Sequence, residues 1–210
     1  QKSLLQKCPY LASSIVSMYA NCGALEKAHE VLRDIPVRDV VSWSALIAGY
    51  AQQGQGMEAL NCFEQMQTQG ISPNSITLLC VLNACCHSGL VSEGQMYYTT
   101  MSQNYNITPD FEHHACMVDV FSRAGCISMA IAMLEKMPFH PSIVLWLTVL
   151  GSCRKWGNVM LGRLAFDKAI KLDNNVASAY VMMANIYASA GMQEDAEKVE
   201  EAMKVKYEPA

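Results

Sequence analysis

Six times along this chain a glycine stands eleven residues after a residue of mostly apolar or amphipathic character. The pairs are Ala12 and Gly23, Trp43 and Gly54, Leu78 and Gly89, His114 and Gly125, Trp146 and Gly157, and Tyr180 and Gly191. Successive glycines are 31, 35, 36, 32 and 34 residues apart. A period of this size means one supersecondary unit, repeated and stacked on its neighbours. It points to a solenoid and away from an enzyme with a single globular core.

The residues between marker and glycine describe one helix per repeat. Apolar side chains return three, four and seven positions after each marker: Ile15, Val16 and Tyr19; Leu46, Ile47 and Tyr50; Val81, Leu82 and Cys85; Met117, Val118 and Phe121; Val149, Leu150 and Cys153; Met183, Ala184 and Tyr187. That is a single helical stripe, and the glycine supplies the left-handed residue on which a helix ends. A second helix follows. Five residues after each glycine stands a small residue (Ala28, Ala59, Gly94, Ala130, Gly162, Ala196), where two helix backbones come close. Twelve after it stand Ile35, Met66, Met101, Met137, Ala169 and Met203, five of them large and apolar. Pro36, Pro73, Pro109, Pro138 and Pro141 fall in the links, where helices stop. The expected fold is all-α: a right-handed α–α superhelix of about six helix–turn–helix repeats.

One hairpin of this size buries too little surface to fold alone, whereas six stacked pairs share a continuous core. A 51% hydrophobic content with 14 methionines suits such a core. No stretch is long and apolar enough to span a membrane. The nine cysteines are an odd number spread over predicted helices, which argues for reduced, packed thiols in a reducing compartment. Cys85, Cys86 and His87, and again His113, His114 and Cys116, cluster in sequence without a paired-ligand spacing. The favoured reading is packed thiols and histidines on helix surfaces, with no metal and no cofactor. The net charge of −4 counts against generic coating of nucleic acid, because phosphate neutralisation favours basic proteins. It counts less against a solenoid that reads bases through side chains.

Residues 40–74, VVSWSALIAGYAQQGQGMEALNCFEQMQTQGISPN, resemble a 35-residue pentatricopeptide repeat (PPR). The chain over residues 9–210 resembles the carboxy-terminal part of a plant PLS-class PPR protein, in which standard, long and short repeats alternate before two extension (E) motifs. Residues 9–39, with MYANCGALEKA, resemble a short repeat; 40–74 a standard one; 75–110, with LNACCHSGLVSEG, a long one; and 111–142, with HACMVDVFSRAG and KMPFHPS, a last short one. Residues 143–176, with WLTVLGSCRKWGNVMLG, and 177–210, with YVMMANIYASAG, resemble the two extension motifs. Residues 1–8 read as the tail of a preceding repeat, and the chain as a piece of a longer array.

The resemblance implies an organellar RNA editing factor, chloroplast or mitochondrial, that selects a cytidine for conversion to uridine. It also implies one nucleotide per repeat, with the fifth and last residues reading the base and the second sandwiching it. On those positions the first short repeat offers Ser13 and Asp39, a pair favouring guanine, with Tyr10 as the sandwiching residue. The standard repeat offers Ser44 and Asn74, favouring adenine, with Val41 beside them. Ionised Asp presents only acceptors, whereas Asn presents both donors and acceptors. Because such arrays run parallel to RNA, the implied step is 5′-GA-3′.

Later repeats depart from the pattern. The long repeat has Ile76 second and pairs Leu79 with Asp110. The last short repeat pairs Ala115 with Ser142 and has Glu112 in the sandwiching place. Both are expected to tolerate several bases. Leu147 and Val181, at the fifth positions of the extension motifs, are expected to read none. Taken singly, the residues have plainer roles: Ser13 and Ser44 as solvated side chains on early helical turns, Asp39 and Asn74 as helix caps.

Zinc deaminases need an H-x-E and a C-x-x-C to activate water and move protons. Neither occurs in these 210 residues, so the chain is not expected to deaminate. The EPA at 208–210 lies about where related chains begin their connection to a deaminase, so a cytidine deaminase domain acting in cis or in trans is an implied partner. Single-stranded RNA is the first. The alternative reading is a protein-interaction scaffold for editing cofactor proteins, centred on residues 75–210. Self-association through the terminal repeats stays open.

Overall fold

The computed structural model describes the backbone of residues 9–35 and 38–207 and the side chains of residues 13–35 and 38–206. Residues 1–8, the side chains of Tyr10 and Ala12, Pro36, and the EPA at 208–210 lie outside it.

Among the described residues there are twelve α-helices and no strand. They come in six hairpins: α1 (Pro9–Asn21) with α2 (Leu25–Asp34), α3 (Val40–Gln52) with α4 (Gly56–Thr68), α5 (Ser75–Ser88) with α6 (Val91–Tyr105), α7 (Phe111–Arg123) with α8 (Ile127–Lys136), α9 (Ile143–Trp156) with α10 (Val159–Leu172), and α11 (Ala177–Ser189) with α12 (Gln193–Tyr207). Every hairpin turns the same way. The six spaced glycines all have φ between 67° and 80°. The residue after each donates its N–H at 2.9 Å to the carbonyl seven places beyond the marker, on Tyr19, Tyr50, Cys85, Phe121, Cys153 and Tyr187. This closes the helix end on its own orphan carbonyl, as a left-handed glycine allows.

The predicted stripes form the core. Val16, Leu46, Ile47, Val81, Leu82, Met117, Val118, Val149, Leu150 and Met183 are buried, as are the markers Trp43, Leu78, Trp146 and Tyr180. The small residues sit where expected. Ala28, Ala59 and Ala130 have no solvent exposure, and a Cβ on Gly162 would stand 3.0 Å from Ile186 and 3.3 Å from Cys153. Met203 is only half-buried, on the last helix.

The chain forms two compact units, Gln1–Val120 and Phe121–Ala210, and the division falls within α7. In the first unit the leading helices α1, α3 and α5 lie side by side, each also packed on its own hairpin partner. The leading helices approach closely: a Cβ on Gly49 would stand 2.9 Å from Cβ of Ala20 and 2.8 Å from Leu25. The second helices α4 and α6 meet instead through large side chains, with the Phe63 and Tyr97 rings edge to face at 5.4 Å. The hairpins are therefore nearer one another along the leading-helix side, which makes that side the inner face of this unit.

In the second unit α9 packs against α8, α10 and α11, and α12 closes the far side of α11. The Trp156 ring lies over the Gly125 turn, 2.9 Å from where a Cβ would be. Lys206 reaches from α12 to Asn174 and the Tyr180 hydroxyl. No described helix is long and apolar enough to cross a membrane.

Candidate functional site

The residues before α3, α5 and α7 are Asp39, Asn74 and Asp110. Each is short and polar, and the chain enters each helix in extended conformation at Asp39 (φ −113°) and Asn74 (φ −112°). An N-cap in that conformation turns its side chain back onto the first helical N–H groups. The Ser42 N–H donates to Asp39 Oδ1 at 2.8 Å and the Ser42 hydroxyl donates to the same oxygen at 2.7 Å. The Thr77 N–H donates to Asn74 Oδ1 at 2.9 Å, with Thr77 Oγ1 also 2.9 Å away. Both are reciprocal capping boxes.

The fifth helical residue of the preceding hairpin reaches each of the first two caps. The Ser13 hydroxyl, on α1, donates to both carboxylate oxygens of Asp39 at 3.2 Å. The Ser44 hydroxyl, on α3, lies 2.7 Å from the Val40 carbonyl and 2.7 Å from Thr77 Oγ1, and its one proton can go to either oxygen. Thr77 thus links Ser44 to Asn74. The expectation that Ser13 and Ser44 are solvated is corrected: they are 9% and 7% exposed and hydrogen-bonded across hairpins. Helix-surface serines would face water, but side-by-side packing of the leading helices closes over these two.

Charge and polarity at the two caps differ. Burial alone would raise the Asp39 pKa, but hydrogen bonds from the Ser42 N–H and hydroxyl, from Ser13 and from its own N–H hold the carboxyl below its ordinary value. Asp39 is therefore an anion offering only acceptors. Asn74 spends its carbonyl oxygen on Thr77, and its amide N–H₂ has no hydrogen-bond partner among the described residues. It is exposed and turns donors outward. Beside these caps stand two uncovered aliphatic side chains at the second helical position, Val41 at 56% and Ile76 at 65% exposure. Ser13, Ser17, Met18, Asn21, Asp39 and Val41 line one open groove on this face.

The third and fourth caps are built differently. Asp110 accepts from the His113 N–H at 3.2 Å, from His113 Nδ1 at 2.5 Å and from the Ser75 hydroxyl at 3.3 Å. Burial pulls its pKa upward, and the bonds from His113 and Ser75 outweigh that and lower it. Leu79 is half-buried and carries no polar atom to reach this cap. Ala115 is half-buried and Glu112 exposed, both in the first unit. Ser142, in the second unit, caps α9 with no side-chain hydrogen bond to the helix. Leu147 is half-buried and Val181 exposed.

The histidines depart from the sequence reading. His113 is fully buried and His114 is 7% exposed, not on the helix surface. His113 is held between Asp110 and the Ser75 carbonyl, 3.0 Å from Nε2. His114 Nδ1 lies 2.8 Å from the Asp110 carbonyl, and its ring meets Tyr98 edge to face. Hydrophobic periodicity assigned His114 to the core stripe, and its polar ring fooled the reading from residue type alone. Cys85 is buried, which pushes its thiol up to about 12, far from the thiolate a metal requires. The Cys116 thiol donates to Asn83 and the Cys86 thiol to Asp119, each at 3.2 Å.

The sequence pattern names both ends of each pair and not the residue that closes each cap, which in the second pair also joins the two ends. Ser42, Thr77 and His113 occupy one position, three residues after each cap. The capping-box pattern of a polar residue followed at that distance by another was the signal that would have found them.

The sequence pattern of the PPR repeat family matches residues 38–87, that of the single PPR repeat matches 11–40, 76–105 and 115–140, and that of the E motif matches 156–207. A chloroplastic pentatricopeptide repeat-containing protein of Arabidopsis thaliana is 39% identical over 194 residues, covering 92% of this chain and 23% of the relative. A mitochondrial one from the same plant is 38% identical over 196 residues, covering 93% and 42%. The chain thus spans less than half the length of either relative. The crystal structure of maize PPR10 superposes with a TM-score of 0.74 at 20% identity over 94% of this chain and 30% of that one. PPR10 in complex with an 18-nt psaJ RNA element gives the same score at 18% identity, over 95% and 30%. The fold is that of these repeat solenoids. The caps described above stand at the joints between successive repeats, and the chain belongs to the pentatricopeptide repeat family, carrying its repeats followed by an E motif.

Proposed function

We propose that this chain is a sequence-selective single-stranded RNA-binding module of an organellar editing factor of the PLS class, working in the chloroplast or mitochondrion. Residues 9–39 and 40–74 are its two reading repeats, and the hairpins over 143–210 are the extension region. The observation that carries this reading is the hydrogen-bonded union of Ser13 with Asp39, and of Ser44 with Asn74 through Thr77, on one face beside exposed aliphatic side chains. Asp39, an anion, accepts from the N1–H and N2–H₂ donors of guanine. The outward amide N–H₂ of Asn74 donates to N1 of adenine, where guanine has a clashing donor. Val41 and Ile76 supply apolar surfaces against which a base lies flat, with Tyr10 assigned the same role one repeat earlier. RNA bound to PPR10 in its complex supports the choice of ligand.

Two reading seats give few base contacts. Each is worth about 1–3 kcal/mol, so micromolar or weaker affinity is expected. Fluorescence anisotropy with short RNAs carrying GA and its permutations is the test. The GA sequence binds tightest, and Asn74→Asp moves the second preference from adenine toward guanine. Identical rankings for parent and variant would refute the assignment.

The chain itself does not deaminate. The E motif supports a role for the extension region in docking or recruiting a cytidine deaminase, in cis or in trans, and editing cofactor proteins are further partners. The apolar fifth positions Leu79, Leu147 and Val181, the last of them 47% exposed, favour protein contact over base reading for residues 75–210. Pull-down from organelle extract checks it: enrichment of editing cofactors no greater than on a scrambled solenoid counts against this role.

A further inference from the structure

The two seats are wired differently. In the first, Ser13 touches Asp39 directly. In the second, no direct bond joins Ser44 to Asn74 among the described contacts, and Thr77 stands between them. Its hydroxyl is 2.7 Å from Ser44 Oγ and 2.9 Å from Asn74 Oδ1, and it accepts from the Asn74 N–H at 3.3 Å. Thr77 has no solvent exposure and belongs to the following helix, α5. A threonine hydroxyl has one proton and two lone pairs. One lone pair accepts from the Asn74 N–H, the proton goes to the Asn74 amide oxygen, and the other lone pair accepts from Ser44 when Ser44 turns its proton from the Val40 carbonyl to Thr77, a set of bonds that ties the three side chains together.

We propose that Thr77 is a specificity-determining positioning residue: its buried hydroxyl couples Ser44 to Asn74 and holds the outward amide where it can tell adenine from guanine. This rests on the base-reading role proposed above for Ser44 and Asn74. Thr77 touches no base itself. Its backbone N–H keeps the Asn74 carbonyl turned inward whatever the side chain. The hydroxyl adds the link to the neighbouring repeat, without which Asn74 is held at its carbonyl by that one backbone bond and its amide is less closely fixed. Ser42, in the matching place of the first seat, has no such duty, because Ser13 and Asp39 meet without it and a carboxylate presents an acceptor from either oxygen.

The experiment measures RNA binding by the full chain, with A, G, C or U at the one nucleotide facing Ser44 and Asn74. Thr77→Val keeps the side chain's shape and removes its hydroxyl. It lowers the adenine-over-guanine ratio about three- to tenfold, the weight of one hydrogen bond, and leaves the guanine preference at the first seat unchanged. Thr77→Ser restores the ratio. Ser42→Ala leaves the first seat's preference within about twofold. Ser44→Ala lowers the adenine ratio as Thr77→Val does, and the double variant loses no more than either single one, the signature of coupled partners. Circular dichroism establishes folding; if Thr77→Val does not fold, Thr77→Ala and the Ser44→Ala arm read the same link. A variant of Thr77 that melts earlier yet keeps the parental ratio would reduce Thr77 to a helix cap and overturn the inference. A parent protein with no base preference at this nucleotide would overturn the reading of the seat itself.

Discussion

In the first two hairpins the fifth residue of the leading helix carries a hydroxyl that reaches the cap of the next hairpin, directly or through Thr77. In the third it carries the isobutyl group of Leu79, and Asp110 is held by His113 and Ser75 instead. The scaffold is the same in both places: a spaced left-handed glycine, a buried stripe, and a short polar residue ahead of the next helix. The difference teaches that a cap holds its helix in either setting, whereas the base-reading seat proposed above adds to the cap a polar neighbour from the hairpin before. The fifth hairpin goes one step further, since Ser142 caps α9 without a side-chain bond to the helix.

The strongest way to break the comparison is to remove what the regions share. Trp43, 2% exposed, marks the second hairpin as Trp146, 4% exposed, marks the fifth. Replacing either with alanine is expected to cost about 3–5 kcal/mol. In a solenoid, where each repeat leans on its neighbours, the damage is greatest around the altered hairpin. Hydrogen exchange should therefore show Trp43→Ala opening the first unit most and Trp146→Ala the second; equal loss everywhere would mean one cooperative body.

Turn glycines give the next largest contrast. Gly54→Ala meets nothing within 4 Å and suffers only the left-handed backbone, whereas Gly125→Ala also runs into the Trp156 ring. The expected costs are about 1 kcal/mol and about 2–3 kcal/mol respectively, read from urea midpoints. Equal midpoints would show that Trp156 moves aside freely.

Base preference sharpens the comparison further. Asn74→Asp should change the adenine-to-guanine ratio at its nucleotide about tenfold, a shift near 1.4 kcal/mol. The reverse exchange at the third joint, Asp110→Asn, should change no ranking, because Leu79 offers no partner. A base preference that follows Asp110 would mean that the cap reads alone.

The smallest effects are at the caps themselves. Asp39→Ala should cost about 1 kcal/mol and Ser142→Ala close to nothing, measured by thermal melting. Asp39 also carries a pH signature. Its folded pKa lies below the ordinary carboxylate value, so its stabilisation is complete above about pH 4 and is lost as pH falls through the folded value. The melting temperature of Asp39→Asn should accordingly fall less steeply than that of the parent below pH 4. Parallel curves would show that its hydrogen bonds favour neither protonation state.

How much of this was legible beforehand follows from which interactions are local. The capping of α3 by Asp39 and of α5 by Asn74 spans three residues and was readable from residue type. The left-handed glycines and the stripe of core residues were readable from spacing, and His114 sits in that stripe although its chemistry suggested the surface. The contacts that define the seats span far longer separations, 26 residues from Ser13 to Asp39 and 33 from Ser44 to Thr77. No local pattern states whether a hydroxyl at such a distance bonds the cap, bonds a bridge or faces water.

The amino-acid sequence by itself determined that this chain is a stack of helical hairpins, because a helix's stripe and its terminating glycine are properties of a dozen consecutive residues. It also determined the chemical type at each joint. Only the tertiary structure decided which polar groups meet, that Ser13 and Ser44 are enclosed, that Asn74 shows its donors and Asp39 its acceptors, and that Thr77 joins one pair. The reason is that a hydrogen bond between repeats depends on side-by-side packing of leading helices to within a few tenths of an ångström. That distance is set by the whole unit's core, down to Gly49 lying where no side chain fits against Ala20.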